Sequence, residues 1–508
     1  MASTAAQNSA LDYDVLIVGA GISGIGMAAH MKMHCPQLSY GIVEMRENLG
    51  GTWDLFKYPG IRSDSDMHTL GFVFEPWKHE KTIADAPSIM DYLNKIVDER
   101  GIRENIRFGH KVTSTDFSSA DGCWNVVLET SDGERKTVRA GFLYLGSGYY
   151  DYDDPYDAGF DTSAFKGEVI HPQFWPEDLD YTGKKVVVVG SGATSVTIVP
   201  SMADKAEHVT MLQRTPTWMW ARPAKDWFAN TLRKILPEET AYKITRFKNI
   251  RMQDFSFKMA RNKPETVKGK LKTLIQKSLG DNYDEATFTP PYDPWDQRVC
   301  LVPDDDLFNA MNAGKASIVT DHIDAFEADG VRLKSGKLLE ADIIITATGL
   351  SLAFAGKIDI AVDGERVDFA KRFYYMSCMF SNVPNLAAVF GYLNASWTLR
   401  ADIVSEYTCR VLNHMDKTGS AIAVAVMTPE EEAAIEEDDI FDFSSGYIQR
   451  GKHLMPRNAM TYPWRLAQEY VTDRKVMQNA VIGDGKLTFR PAGNLPTQDN
   501  DEQLEAAE

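Results

Sequence analysis

Tyr13-Asp-Val-Leu-Ile-Val18-Gly19-Ala-Gly21-Ile-Ser23-Gly24 decides the fold of this chain. Its first six residues are mostly apolar and β-branched, as a buried strand requires, and a small-residue helix start, Ile25 to Met31, follows the glycines. Strand, tight turn and helix in that order put G-x-G-x-x-G where it can hold a dinucleotide. The first glycine makes the turn, the second lets backbone approach a pyrophosphate, and the third permits close packing of helix on strand. The helix N-terminus adds unsatisfied N–H groups and a positive dipole end. Tyr40 to Glu44 then reads as a second strand ending in an acid. Glu44 lies where a carboxylate accepts hydrogen bonds from a ribose diol, which argues against a glycine turn of some other α/β domain.

The pattern recurs. Lys184 to Val189 is a strand, followed by Gly190-Ser191-Gly192-Ala193-Thr194-Ser195, with serine in place of the third glycine and still small enough for helix–strand packing. The next strand, His208 to Leu212, ends in Gln213-Arg214-Thr215 rather than an acid. A carboxylate there would repel a 2′-phosphate, whereas Arg214 pairs with it and Thr215 hydrogen-bonds it. The first site therefore reads as FAD and the second as NADP; a solvated surface arginine is the competing reading of Arg214. Ala341 to Leu350 is a buried strand ending in Ala-Thr-Gly, and Tyr144 to Gly148 is the matching exit from the first unit.

The expected fold is α/β, with two Rossmann-like dinucleotide-binding domains and the NADP domain inserted in the FAD domain. The FAD domain covers 12–150 and 351–490, and the NADP domain 151–350, with a helical insertion at about 225–290. Residues 491–508 form an acidic tail with the composition of a disordered segment. The insertion interleaves Lys and Arg with apolar residues. It reads either as a wall of the substrate pocket or as a solvated amphipathic surface, and an insertion with a wet basic face is favoured.

Composition narrows the partners. A chain of 508 residues with 44% hydrophobic content fits two or three soluble domains. A net charge of -18 argues against nucleic acid, whose phosphates need a basic surface. Met1 to Leu11 has neither the basic nor the apolar region of a secretory signal, and no window is apolar enough for a membrane helix. Five widely spaced cysteines (Cys35, Cys123, Cys300, Cys378 and Cys409) suit reduced thiols in a cytoplasm and give no metal site. They also lack the close pair that flavin disulfide reductases carry.

Two loops carry candidate chemistry. Gly50-Gly-Thr52-Trp53 through Tyr58-Pro-Gly60-Ile-Arg62-Ser63-Asp64-Ser-Asp66 is rich in glycine and charge soon after Glu44. Pro294-Trp-Asp296-Gln297-Arg298-Val-Cys300 sets an arginine at the edge of an apolar stretch, where it wants a carboxylate partner. On residue type alone Asp64, Asp66 and Asp296 all qualify.

Between the two glycine turns lies Phe165-Lys-Gly167-Glu-Val-Ile-His171-Pro-Gln-Phe-Trp175-Pro176, or F-x-G-x-x-x-H-x-x-x-W-P. It resembles the fingerprint of type I Baeyer–Villiger monooxygenases, and the chain is most similar to the subgroup typified by the ethionamide-activating monooxygenase. Runs such as G-G-T-W-D-L-F, Y-P-G-I-R-S-D-S-D-M and I-I-I-T-A-T-G-L carry that resemblance over nearly the whole chain. It implies an NADPH- and O2-dependent enzyme converting ketones to esters or lactones through a C4a-peroxyflavin, with side oxidation of thioethers and thioamides. By the same resemblance Arg298 is the essential arginine and Asp64 the aspartate that orients it. Ser23, Glu44, Thr52, Trp53, Asp64 and Val112 contact FAD; Arg62 to Asp64, Gly190 to Ser195, Arg214 and Thr215 meet NADP. His171 couples the domains through backbone hydrogen bonds rather than acting as a base, and Trp175 packs within the linker. Trp397 and Trp464 are candidates for the substrate pocket. A lysine often precedes the essential arginine and helps to hold the 2′-phosphate; Gln297 stands there, which shifts that task to Arg214. The implied partners are a ketone or sulfide and O2, with no obligatory protein partner and no membrane insertion. An N- or S-hydroxylating flavin monooxygenase and an NADPH oxidase are the alternatives.

Overall fold

The computed structural model describes residues 10–493 and 495, so most of the acidic tail lies outside the described residues. Two sheets organise the chain. The first has nine strands and is centred on Tyr13–Val18, which pairs in parallel with Tyr40–Val43 on one side and Arg135–Leu145 on the other. Val15, Leu16 and Ile17 are fully buried, as expected of a central parallel strand covered on both faces. Cys123–Thr130 and His110–Ser118 extend this sheet as antiparallel strands, and the chain returns to it late, through Leu386–Ala388 beside Arg135–Leu145.

The second sheet is wholly parallel, in the order Ala316–Thr320, His208–Gln213, Lys185–Val189, Ile343–Thr346 and Glu168–Ile170. Its edge strand comes from the fingerprint itself. Gly167 leads into that strand with no room for a side chain, since a Cβ would stand 2.1 Å from the Asp342 carbonyl oxygen. Phe165 is buried in the apolar cluster on this sheet, and Trp175 packs at the edge of another.

The second sheet is thus inserted into the first, the expected two-domain flavoprotein architecture. The two crossing segments are hydrogen-bonded to each other: Asp151 N donates to Ser351 O at 2.9 Å, and Ala353 N to Tyr149 O at 3.0 Å. From the second unit the chain also sends out the helices Trp227–Ile235, Glu238–Asn262 and Pro264–Leu279. The longest is anchored on the first unit through its inner face. Tyr242 donates to Phe72 O at 2.8 Å, Arg246 to Gly71 O at 2.6 Å, and Asn249 to the Asp66 carboxylate at 2.8 Å. Asp402 completes the joint by accepting from Arg246 at 3.1 Å. Among the described residues no helix is long and apolar enough to cross a membrane.

Candidate active site

The strand Tyr13–Val18 ends at Gly19, whose φ of +97° is left-handed and whose missing Cβ would lie 2.8 Å from the Gly146 carbonyl oxygen. Only glycine turns the chain there. A Cβ on Gly24 would lie 1.9 Å from the Gly19 carbonyl oxygen, so the third glycine closes helix Ile22–His34 onto the strand. Gly21 is open by contrast: its nearest neighbour is the Cα of Gly51, 3.6 Å from a built Cβ. Two bare backbones facing each other leave a slot of the kind a pyrophosphate needs.

That slot opens into a cavity of about 300 Å³. Of the residues expected to hold FAD, Gly19, Gly21, Ser23, Glu44, Thr52, Trp53, Asp64 and Val112 line it; Arg62 and Ser63, expected with Asp64 to meet NADP, line it too, and so does Arg298. Gly24 lies behind the wall. Glu44 is buried and accepts from Ala20 N at 2.7 Å and Arg46 N at 2.9 Å; burial pushes its carboxyl up, with those two bonds opposing. Ser23 accepts the indole N–H of Trp397 at 2.7 Å, so Trp397 belongs to this wall, stacked on Tyr149. Trp464 does not: it is buried elsewhere, donating to Glu431 at 2.7 Å.

The three candidate carboxylate partners of Arg298 are now distinguishable. Asp66 caps the turn Met67–Leu70 and receives Asn249; Asp296 pairs with Arg261 at 2.5 Å. Asp64 forms no ion pair among the described residues and lies where both Arg298 and Arg62 act on its charge. Burial raises its carboxyl above the ordinary range, opposed by Arg298 and then Arg62. Burial works against the charge of Arg298 in turn, but Tyr447, Tyr149, Tyr150 and Asp64 around it more than restore the preference for the cation. Arg62 pairs with Asp306 of the inserted unit and still buries Nε and one terminal nitrogen without partners, donors suited to an anionic group.

Sequence reasoning named neither the tyrosine collar nor Lys357, which lines the cavity and pairs with Asp151 at 2.5 Å. The signal available was Tyr149-Tyr150 directly after the Gly-Ser-Gly exit.

The second glycine turn stands outside the cavity. Gly190 has φ +136° and its absent Cβ would meet the Ala347 carbonyl oxygen at 2.2 Å, while Gly192 faces open space. Ser191 donates to Thr215 O at 3.1 Å, and Ser195 is fully buried with its hydroxyl unpartnered. Arg214 is exposed at the end of its strand and forms no ion pair among the described residues, so its charge is free for a ligand. His171 accepts from Gln173 N at 3.2 Å, and Gln173 donates onward to the carbonyls of Asp151 and Tyr152 at 2.8 and 3.0 Å, a chain from fingerprint to linker.

A dinucleotide slot, a half-buried arginine beside it and a second nucleotide turn across a linker define a flavin-dependent oxidoreductase with two cofactor sites. The chain belongs to the flavin-binding monooxygenase-like family, whose pattern matches residues 78–421; residues 17–83 also match an NAD(P)-binding Rossmann-like domain. It is 47% identical over 483 residues to the probable FAD-binding monooxygenase AlmA of an Acinetobacter species, covering 94% of this chain and 97% of that one. To the FAD-containing monooxygenase EthA of Mycobacterium tuberculosis it is 48% identical, covering 94% and 98%. In fold it matches an oxidized steroid monooxygenase bound to NADP and an ε-caprolactone-bound cyclohexanone monooxygenase. Each has a TM-score of 0.73 at 20% identity, covering 94% of this chain and 99% of the other.

Proposed function

We propose that this flavin-dependent monooxygenase is of the Baeyer–Villiger type. With FAD in the cavity and NADPH as reductant, it inserts one atom of O2 beside a ketone carbonyl to give an ester or lactone, and it oxidises thioethers and thioamides as a side reaction. The observation that carries this reading is the half-buried cation of Arg298 in the wall of the FAD cavity, close enough to Asp64 to act on its charge.

The fit to a flavin dinucleotide rests on the bare slot between Gly21 and Gly51 and on the unpartnered nitrogens of Arg62. Gly19, Gly21, Ser23, Glu44, Thr52, Trp53 and Val112 would hold FAD. Gly190 to Ser195, Arg214 and Thr215 would hold NADPH, with Arg62, Ser63 and Asp64 between the two. We also assign residues 12–150 and 351–490 to the FAD domain and 151–350 to the NADP domain. FAD, once reduced by NADPH, supplies the oxygen-activating chemistry; orientation and electrostatics fall to the protein.

Addition to a ketone builds negative charge on oxygen, and Arg298 sets a fixed positive charge where that charge develops. Preorganised donors of this kind contribute about 3–4 kcal/mol in comparable sites. Asp64 orients the guanidinium and tempers its charge. Tyr149, Tyr150 and Trp397 form an aromatic wall that keeps water away and strengthens each electrostatic contact inside.

The test is turnover by purified, FAD-loaded protein with phenylacetone and 2-octanone, following NADPH and O2 consumption and identifying products by mass spectrometry. Ester formation coupled to NADPH use, and lost in Arg298→Ala, is the expected result. Turnover of amines and thioethers alone would overturn it in favour of an N- or S-hydroxylating enzyme, and hydrogen peroxide alone in favour of an oxidase.

A further inference from the structure

We propose that the outer face of the helix Glu238–Asn262 is a docking surface for an anionic phospholipid bilayer. Its inner face is spoken for, since Tyr242, Arg246 and Asn249 are buried against the first unit. On the opposite side Ile244, Phe247, Arg251 and Phe255 recur at helical spacing and point away from the protein. Ile244 is 40% exposed, Phe247 63% and Phe255 64%, with Met252 alongside at 57%. Single exposed apolar residues are ordinary, but a contiguous stripe on one helix marks a surface that something covers. The preceding helix extends the patch. Asp226, which caps it, pairs with Lys248 at 2.8 Å, bringing Trp227, 76% exposed, beside the turn that carries Phe247.

Charge selects the occupant. Residues 225–279 hold 14 Lys and Arg against 5 Asp and Glu, in a chain where acids outnumber bases by 72 to 54. The bases are interleaved with the apolar stripe: Arg251 lies 5.5 Å over the Phe247 ring, and neither Arg251 nor Lys263 forms an ion pair among the described residues. Aromatic and aliphatic side chains flanked by Lys and Arg, on a helix lying parallel to the protein surface, match the headgroup boundary of an anionic membrane. A symmetric dimer through the same face would set like charges against each other. Contact would be peripheral, since no described helix crosses a bilayer.

The experiment is co-sedimentation of the FAD-loaded full chain with phosphatidylcholine vesicles containing phosphatidylglycerol, and with phosphatidylcholine alone, at low and high salt. Binding to the anionic vesicles is expected to fall at high salt through screening. The double variant Phe247→Ser/Phe255→Ser is expected to bind at least about tenfold more weakly at unchanged FAD content and Tm. Arg251→Glu/Lys263→Glu, which leaves the apolar residues in place, should lose binding as well. Four results would overturn the proposal: no binding of the native chain to anionic vesicles; equal binding to neutral ones; equal binding by both variants; or a concentration-dependent dimer, seen by light scattering, that Phe247→Ser/Phe255→Ser abolishes.

Discussion

Arg298 donates a hydrogen bond from its guanidinium to the carbonyl oxygen of Leu393 at 3.2 Å. The two residues belong to different units: Arg298 leads into the strand Cys300–Pro303, paired with Met219–Arg222, whereas Leu393 follows Leu386–Ala388 of the first sheet. The cation is therefore fixed in the cavity from both sides of the linker, and its position depends on how the units meet.

Replacing Arg298 by alanine is expected to cut ester formation by roughly 100-fold or more, the usual loss when one charge-stabilising donor is removed. FAD content should persist, because the slot at Gly21 and Gly51 is untouched. Consumed NADPH should then appear as hydrogen peroxide. Arg298→Lys should not rescue the reaction, since a single ammonium cannot serve both Leu393 and Asp64 with the geometry of a planar fork. Product analysis paired with a peroxide assay checks both.

Asp64 should set the acid limb of the pH profile. Burial raises its carboxyl above the ordinary range near 3.9, with Arg298 and Arg62 only partly compensating. Below that raised value the folded enzyme carries a neutral Asp64 that no longer orients Arg298, so kcat/KM should rise with pH through it. In Asp64→Asn the limb should vanish and the rate stay at the low plateau. A limb unchanged in the variant would mean that another group titrates.

How much was legible from sequence follows from how local each feature is. Gly19, Gly24 and Gly190 announce themselves because a turn or a close approach within a few residues admits nothing larger. Glu44 and Arg214 lie at fixed spacing beyond those turns, at the ends of parallel strands, where ligands of such sheets bind. The choice among Asp64, Asp66 and Asp296 was not available from residue type, because it depends on Asn249 and Arg261 in the helical insertion already occupying two of them. The same holds for the bond from Trp397 to Ser23 and for Tyr447 beside Arg298, which join segments remote in sequence.

His171 gives a stability prediction with a definite sign. Burial lowers its imidazole pKa, with a backbone hydrogen bond opposing, so the folded state disfavours the proton that the unfolded chain accepts near pH 6.5. The native state therefore loses stability as pH falls through that value, and the loss is complete once pH is below the folded value. Protonation would also block the nitrogen that accepts from Gln173. His171→Asn, which keeps an acceptor for that N–H, should show a smaller drop in Tm between neutral and mildly acidic pH than the native protein. Parallel curves would sink the idea.

Two glycines with different roles in the glycine-rich turns should respond in opposite ways. Gly24→Ala forces a methyl to within 1.9 Å of the Gly19 carbonyl oxygen, so it should lower Tm and yield protein poor in FAD. Gly192→Ala meets no atom within 4 Å, so stability and FAD content should hold while KM for NADPH rises, because the added methyl occupies space kept for the pyrophosphate.

Coenzyme choice should rest on Arg214. It is exposed at the strand end with no ion pair among the described residues, and Gln297 stands before Arg298 with no charge to offer a 2′-phosphate. A charge-assisted hydrogen bond contributes about 1.5–3 kcal/mol, so Arg214→Ala should raise KM for NADPH by roughly 10- to 100-fold. KM for NADH, which lacks that phosphate, should stay nearly constant. Gln297→Lys should act in reverse, restoring a second cation and sharpening the preference for NADPH. Steady-state kinetics with both coenzymes decide the matter: if NADH and NADPH suffer equally in Arg214→Ala, the arginine serves the fold rather than the phosphate.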